Sequence, residues 1–446
     1  MKSRYRLFAA APLVLAAPLV SIAAAPEWAP VVKARAEAEY ASLFEIQKDL
    51  HANPELSFME TRTAAILAKE LRAVGVEVTE KVGNTGVVGV LKNGPGPTIL
   101  IRGDMDALPL REEVPVPYAS KAVVKDLMGR DMPAMHACGH DLHVTQLIGT
   151  ARVLTQLKDK WSGTIVFIGQ PAEEIVSGAR AMLRDGLYTR FPYPDYALAI
   201  HVSANRPAGE INHTEGAASA FVNSVDINVR GVGGHGSAPH TTKDPVVLAS
   251  QIVLALQTIV SRELKPGTPA VVTVGSIHGG TKHNIIGEDV KLELTLRSYS
   301  DDVAQHLIAS IKRICENTAR AYGLPEDRLP TVAVRPEQAP VMVNTPELNR
   351  RLVGLFENVF GKESVVYRPP TMGAEDFSEF GRTNPKVPLM MWSIGAADPA
   401  KFAAAEKAGK EMWSNHSPLA EFVPDPTIKT CVASMVSAVL ELAPKK

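Results

Sequence analysis

The chain has only three cysteines in 446 residues: Cys138, Cys315 and Cys431. An odd, sparse set excludes a disulfide framework, whatever the compartment. Charge of one sign is also missing. Lys and Arg number 47 against 48 Asp and Glu, for a formal net charge of -1, so no basic excess favours nucleic acid and no charge block reads as a tail. Aromatic residues make up 6%. No interior stretch approaches the roughly 20 consecutive apolar residues of a membrane span. What remains, 46% hydrophobic and 21% charged, is ordinary globular composition with length enough for two domains.

The one long apolar run lies at the N-terminus. Lys2, Arg4 and Arg6 precede Leu7 to Val20, and Ser21-Ile22-Ala23-Ala24-Ala25 follows. Charged, apolar, then small is a signal-peptide pattern, with cleavage after Ala23 fitting a small-x-small rule. Residues 1–25 are therefore expected to direct export to a periplasm or beyond, with an uncleaved anchor as the plainer alternative. No cysteine follows, so a lipid anchor is not expected.

Beyond the leader, two helical patterns (Tyr40 to His51, and Ala64 to Val74 ended by Gly75) precede strand-like runs at Val87–Leu91 and Thr98–Ile101. Asp141 is placed to cap a helix with Leu147, Ile148, Ala151 and Leu154 on one face. Thr164–Ile168 and Tyr196–Ile200 read as buried strands, the second ending at His201, and Leu389–Ile394 as a late one. Continuous apolar strands alternating with helices predict an α/β fold with a mixed, mostly parallel sheet. From about Ser219 the order is strand, helix, strand, strand, helix, strand. That predicts an inserted α+β unit of split βαβ type over 219–338, flanked by a main domain over 26–218 and 339–446.

The chemistry gathers at strand ends, where sites form in such sheets. His136-Ala-Cys-Gly-His-Asp141 places a thiol and an imidazole two residues apart, next to a helix start that favours thiolate. Pro171-Ala-Glu173-Glu174 follows a buried strand. Adjacent residues of an extended chain point opposite ways, so one carboxylate can hold a metal while the other faces substrate and water. His201 closes an apolar run, and Asn415-His416-Ser417-Pro418 adds another imidazole. Each alone has a plainer explanation: a core cysteine, a solvated acidic loop, a satisfied core histidine, a loop histidine. Together, Cys138 and His140, the Glu173-Glu174 pair, His201 and His416 describe a metal site assembled by folding. In the inserted unit, His235 sits in a glycine-rich stretch, Asn284 in a polar loop and Arg297 at a strand end. These groups suit an oxyanion or a carboxylate. Cys315 and Cys431 lie in helical patterns and read as core.

These stretches together resemble the M20 family of metallopeptidases and amidohydrolases, in the branch of hippurate hydrolases and N-acyl-amino-acid amidohydrolases. The matching segments are Arg102-Gly-Asp-Met-Asp-Ala-Leu-Pro109, Met135–Asp141, Gln170–Glu174, Gly233–His240, His283–Ile286 and Gly373-Ala-Glu-Asp-Phe377. The resemblance implies a catalytic domain interrupted by a smaller lid and dimerisation domain, and two divalent metals per subunit. Cys138, His140, Glu174, His201 and His416 would be their ligands and Glu173 the general base. It further implies that His235 stabilises the oxyanion, in the family often from the partner of a homodimer. Asn284 and Arg297 would hold the substrate carboxylate, and Asp104 and Asp106 would support the ligands from behind. Zinc fits the thiolate and imidazoles on softness, and Mn, Co or Ni are compatible. The loop from Tyr118 to Met135 is longer than the family pattern, and Gly287-Glu288 stands where Pro-Asp is frequent.

The expected function is an exported, metal-dependent hydrolase of N-acyl (or aminoacyl) amino acids, acting on a small molecule and on neither nucleic acid nor membrane. A carboxypeptidase or dipeptidase of the same family is the near alternative. A thiol hydrolase with Cys138 as nucleophile leaves Glu173, Glu174 and His416 without a task. A non-catalytic binding protein leaves Glu173 without one.

Overall fold

The computed structural model describes residues 25–445, so the leader, but for Ala25, lies outside the described residues. Its larger sheet has eight strands in the order Glu77–Val82, Gly86–Asn93, Gly163–Gln170, Thr98–Asp104, Tyr196–Pro207, Leu389–Ala397, Ile211–His213 and Val365–Tyr367. The four in the middle run parallel to one another. Antiparallel pairings join the flanks to them. The central strands read as continuous apolar runs because both their faces are covered. Ile99, Ile101, Ile165 and Phe167 pack in one cluster with the helices Ala29–Ala52, His140–Gln156 and Pro424–Leu442. Leu100, Val166 and Ile168 pack on the other face with Phe377 and Phe380.

Two local expectations are corrected. The strand predicted to end at His201 runs on to Pro207, because Ser393, Ile394 and Gly395 continue its parallel ladder opposite His201, Val202 and Ser203. His201 therefore lies inside a strand, fixed by the sheet. The helix after Cys138 begins at His140, with Gly139 as its N-terminal boundary at φ 80°. A Cβ at Gly139 would sit 2.3 Å from Val202 Cγ2, so the turn needs glycine both for its left-handed backbone and for its close approach. Asp141 does not cap this helix. Its side chain turns to His51 and Gln47.

The smaller sheet is fully antiparallel, in the order Ala270–Gly279, Asp289–Ser298, Phe221–Arg230, Thr331–Ala339. Helices Pro245–Thr258 and Asp301–Ala321 supply Ile252, Leu256, Leu307 and Ile311 to a separate core with Leu292 and Leu294. The connection order is the split βαβ arrangement. Among the described residues, Pro245–Glu263 is the one helix long and apolar enough to cross a membrane. Its inner face packs into that separate core, while Val246, Val247 and Leu254 are exposed.

Candidate metal centre

Four chain segments meet above the carboxyl ends of the parallel strands. The turn before helix His140–Gln156 brings Cys138 and His140, the strand Tyr196–Pro207 brings His201, the turn after Gln170 brings Glu173 and Glu174, and a C-terminal loop brings His416. Cys138 Sγ lies 3.4 Å from His201 Nε2 and 3.3 Å from His416 Nε2. His416 Nε2 is 3.4 Å from Glu174 Oε2, and His140 Nε2 is 3.9 Å from Glu174 Oε1. Tetrahedral ligand bonds of about 2.0–2.3 Å put donor atoms roughly 3.3–3.8 Å apart. The spacing thus fits divalent ions held between these atoms. His140 Nε2 and Glu174 Oε1 are buried without a hydrogen-bond partner among the described residues, as expected of donors that face a cation rather than each other. Cys138 belongs to two overlapping groups, one with His140 and His201 and one with Glu174 and His416, and these five residues would hold the divalent ions.

The electrostatics agree. Burial pushes the Cys138 thiol up, but His201 and His140 outweigh it and hold the group well below the ordinary thiol range, as thiolate. Burial raises the Glu174 carboxyl well above its usual range, and the Cys138 charge raises it further. Negative charge concentrated in this way is relieved by a bound cation.

The supporting layer is well defined. His140 Nδ1 donates to the Asp106 carbonyl at 2.8 Å, which turns Nε2 into the cluster. Asp106 accepts the backbone N–H groups of Glu173 and Glu174, each at 3.0 Å, and the Ser57 hydroxyl at 2.6 Å. Asp104 is bonded to Arg102 at 2.5 Å and to His143 Nδ1. His143 Nε2 accepts the Val202 N–H at 2.8 Å, so both its nitrogens are used and the ring is neutral, pushed down to about 4 chiefly by burial. Asp106 thus lies behind the cluster, while Asp104 Oδ2 approaches His140 Nε2 to 3.6 Å and forms a further buried donor group with His140 and His143. Asn415, adjacent to His416, donates to the Val202 carbonyl at 2.9 Å and accepts the Ala204 N–H at 2.9 Å, which staples the His416 loop to the His201 strand. His416 and Ala172 both hold left-handed backbone, φ 68° and 49°. Strain of this kind gathers at functional sites.

Glu173 stands beside the donors, its Oε2 4.0 Å from His140 Nε2. It also faces Glu375 and Asp376. Burial raises its carboxyl well above the usual range, followed by the charges of Glu375, Glu174 and Asp376. The sequence assigned no role to that second pair. Glu375 is tied to Arg102 Nη2 at 2.7 Å, and Gln170 bridges Arg102 to Asp376. Their signal was present in Arg102 and in Ala374-Glu-Asp376, both inside recognised segments.

A cavity of about 720 Å³ opens over the cluster, lined by Cys138, Glu173, Glu174, His201 and His416 and, from the smaller domain, Arg297. Arg297 has one hydrogen bond, to the Met372 carbonyl at 3.4 Å, and no carboxylate within ion-pair reach among the described residues. His235 and Asn284 do not line this cavity. They lie together on an exposed two-stranded ribbon of the same domain, where His235 pairs with Ile285 and Gly236 N–H bonds the Asn284 carbonyl.

Residues 100–439 match peptidase family M20/M25/M40. Thermostable carboxypeptidase 2 of Saccharolobus solfataricus is 38% identical over 363 residues, 80% of this chain and 87% of the relative. The hippurate hydrolase of Campylobacter jejuni is 38% identical over 340 residues, 75% of this chain and 84% of that one. A solved Bacillus subtilis structure described as a dinuclear metal binding peptidase from the M20 family is 27% identical. It has a TM-score of 0.73, covering 91% of this chain and 98% of its own. The chain belongs to peptidase family M20/M25/M40 and is a hydrolase of amide bonds.

Proposed function

We propose that the enzyme cleaves the amide bond of N-acyl amino acids, with water as the attacking group and Glu173 as general base. The observation that carries this is one chamber holding both Glu173, beside the donor cluster, and Arg297, a half-buried cation without a carboxylate of its own. Cys138, His140, Glu174, His201 and His416 would hold two divalent ions, zinc suiting a thiolate and imidazoles, with Mn, Co and Ni compatible. Such ions would polarise the scissile carbonyl and acidify the attacking water. Glu173 takes the proton from that water and returns it to the leaving nitrogen. Burial, and then the Glu375, Glu174 and Asp376 charges, favour the protonated form it reaches midway. Arg297 anchors the substrate carboxylate, which sets the amide over the cluster.

His235 and Asn284 serve this site from a second copy of the chain. The smaller sheet leaves Ala270–Gly279 unpaired on one side, with Ile277 exposed, and the helix beside it exposes Val246, Val247 and Leu254. An edge strand next to an apolar helix face suits two-fold pairing, so the lid would form a homodimer. Export through the leader at 1–25 rests on its charged-apolar-small pattern. N-terminal sequencing of the processed protein checks it.

An aminoacyl group in place of the acyl group is the second reading, favoured by the 38% identity to a protein named carboxypeptidase. One experiment tests both: wild type and Glu173→Gln, each analysed for bound metal, on acetyl, benzoyl and long-chain acyl amino acids and on dipeptides. Turnover of acyl substrates that falls at least about a hundredfold in the variant, with metal retained, supports the proposal. Survival of turnover in the variant refutes the base assignment, and dipeptide-only turnover selects the second reading. Activity that withstands chelation would point to a thiol mechanism.

A further inference from the structure

Glu60 is fully buried, and no Lys, Arg or His lies within ion-pair reach of it among the described residues. A buried carboxylate without a cation is costly unless its oxygens are used. It stands at the start of helix Thr61–Ala73 yet does not cap it. Glu55 does, accepting the N–H groups of Arg62 and Thr63 at 3.0 and 2.8 Å. Freed from that task, Glu60 reaches across the fold. Its Oε1 accepts the N–H of Ala172 at 2.8 Å and of Phe58 at 2.9 Å, and its Oε2 takes the Thr85 hydroxyl. Both N–H donors belong to residues with left-handed backbone, Phe58 at φ 62° and Ala172 at φ 49°.

Ala172 is the residue before Glu173-Glu174. The N–H groups of 172, 173 and 174 therefore all end on carboxylates: the first on Glu60, the next two on Asp106. Three successive amides turned to one side form a concavity that favours anions. Here two side chains of the protein fill it. The turn cannot relax toward extended backbone without breaking these bonds, and its shape decides how the two glutamate side chains splay. The Glu60 carboxyl is pushed up to about 7, first by burial and then by Asp106. Its acceptor geometry, rather than a fixed charge, thus holds Ala172.

We infer that Glu60 is a positioning residue of the active site: by fixing Ala172 in left-handed backbone it sets the directions of Glu173 and Glu174, and so both base placement and metal affinity. This rests on the roles proposed above for those two glutamates. It touches neither substrate nor metal.

The test compares Glu60→Ala with Glu60→Gln. The amide oxygen of Gln can accept the same two N–H groups, and the Thr85 hydroxyl can turn to accept its NH₂. Both variants and wild type are assayed for kcat and KM on the substrate wild type turns over best, and for zinc affinity by competition with a chromophoric chelator. In the Ala variant kcat is expected to fall about 10- to 100-fold with KM within about threefold, and zinc affinity to drop about tenfold. In the Gln variant all three stay within about threefold of wild type. A kcat loss under about fivefold in Ala with unchanged zinc affinity overturns the inference, as do equal losses in Ala and Gln. If the Ala variant does not fold, Glu60→Asp takes its place, because a side chain one carbon shorter cannot reach Ala172 and the same thresholds apply. An inactive wild type would count against the hydrolase reading, whereas the zinc affinities would still decide the role of Glu60.

Discussion

Replacing Arg297 with Met keeps an unbranched apolar stem and removes the guanidinium with its charge and donors. In the structure the guanidinium is half-buried, with one hydrogen bond among the described residues, a long one to the Met372 carbonyl, and burial alone shifts it, downward. A cation in that position gains most when a substrate carboxylate arrives, because little protein interaction is lost in exchange. A hydrogen bond to a charged group contributes about 1.5–3 kcal/mol, equivalent to roughly 10- to 150-fold in kcat/KM. The assay compares benzoylglycine with benzoylglycinamide, which has the same scissile bond and no carboxylate. Wild type should prefer the acid, and Arg297→Met should lose that preference, mainly through KM, while turning over the amide almost as wild type does. Arg297→Lys should fall between, since an ammonium offers charge without the planar fork. An equal loss on both substrates would refute the reasoning and make Arg297 a packing residue.

His51 gives a pH prediction. Burial pulls its pKa down, but Asp141 at 2.9 Å and Glu112 at 3.0 Å outweigh that and raise it to about 10. The folded value lies above the unfolded one near 6.5. The stability it contributes is therefore complete below about pH 6.5 and lost as pH rises through about 10. Its replacement in His51→Gln should cost about 3 kcal/mol at pH 6, and the gap in Tm to wild type should shrink on titration to pH 10. A pH-independent gap would count against a charged His51. For the dimer, mixing inactive Glu173→Gln and His235→Ala chains should restore about a quarter of wild-type activity, since half of randomly paired dimers carry one intact site. No recovery after verified exchange would place His235 in its own subunit's site, or in none. Leu254→Glu should shift the protein to monomer in light scattering and lower activity toward that of His235→Ala.

What the sequence made legible was what lies at element boundaries. Cys138, Glu173, Glu174 and His416 stand where an apolar or helical pattern stops, and the structure brings them within a few ångströms. His201 was placed with them although its strand continues, because the apolar run weakens after Val202 while the ladder to Ser393–Gly395 does not. The supporting residues were harder to see. Arg102 reaches Glu375 across 273 residues and Glu60 reaches Ala172 across 112, and no local period records such a pairing. Glu60 in particular reads as an ordinary first-turn acid of an amphipathic helix. Only the observation that Glu55 already caps that helix shows that Glu60 is doing something else. The lid posed the opposite case: its order of elements was legible, but His235 and Asn284 do not reach the cavity of their own chain.

The surroundings of Cys138 bear on the rival thiol chemistry. A Cys–His nucleophile needs one imidazole to take its proton and one further group to orient that ring. Here two imidazoles approach the sulfur, His201 oriented by the Val202 carbonyl at 2.7 Å and His416 set by a left-handed backbone that nothing in proton transfer requires. His140 and Glu174 add two more buried atoms with no partner of their own. For a nucleophile these are a liability, since every extra fixed donor around the sulfur of a residue only 7% exposed narrows the path by which a carbonyl carbon could reach it. For a cation they are the coordination sphere. The same atoms that make Cys138 a thiolate thus leave it poorly placed to attack, which supports the proposal that the proton chemistry falls to the carboxylate beside the cluster, Glu173.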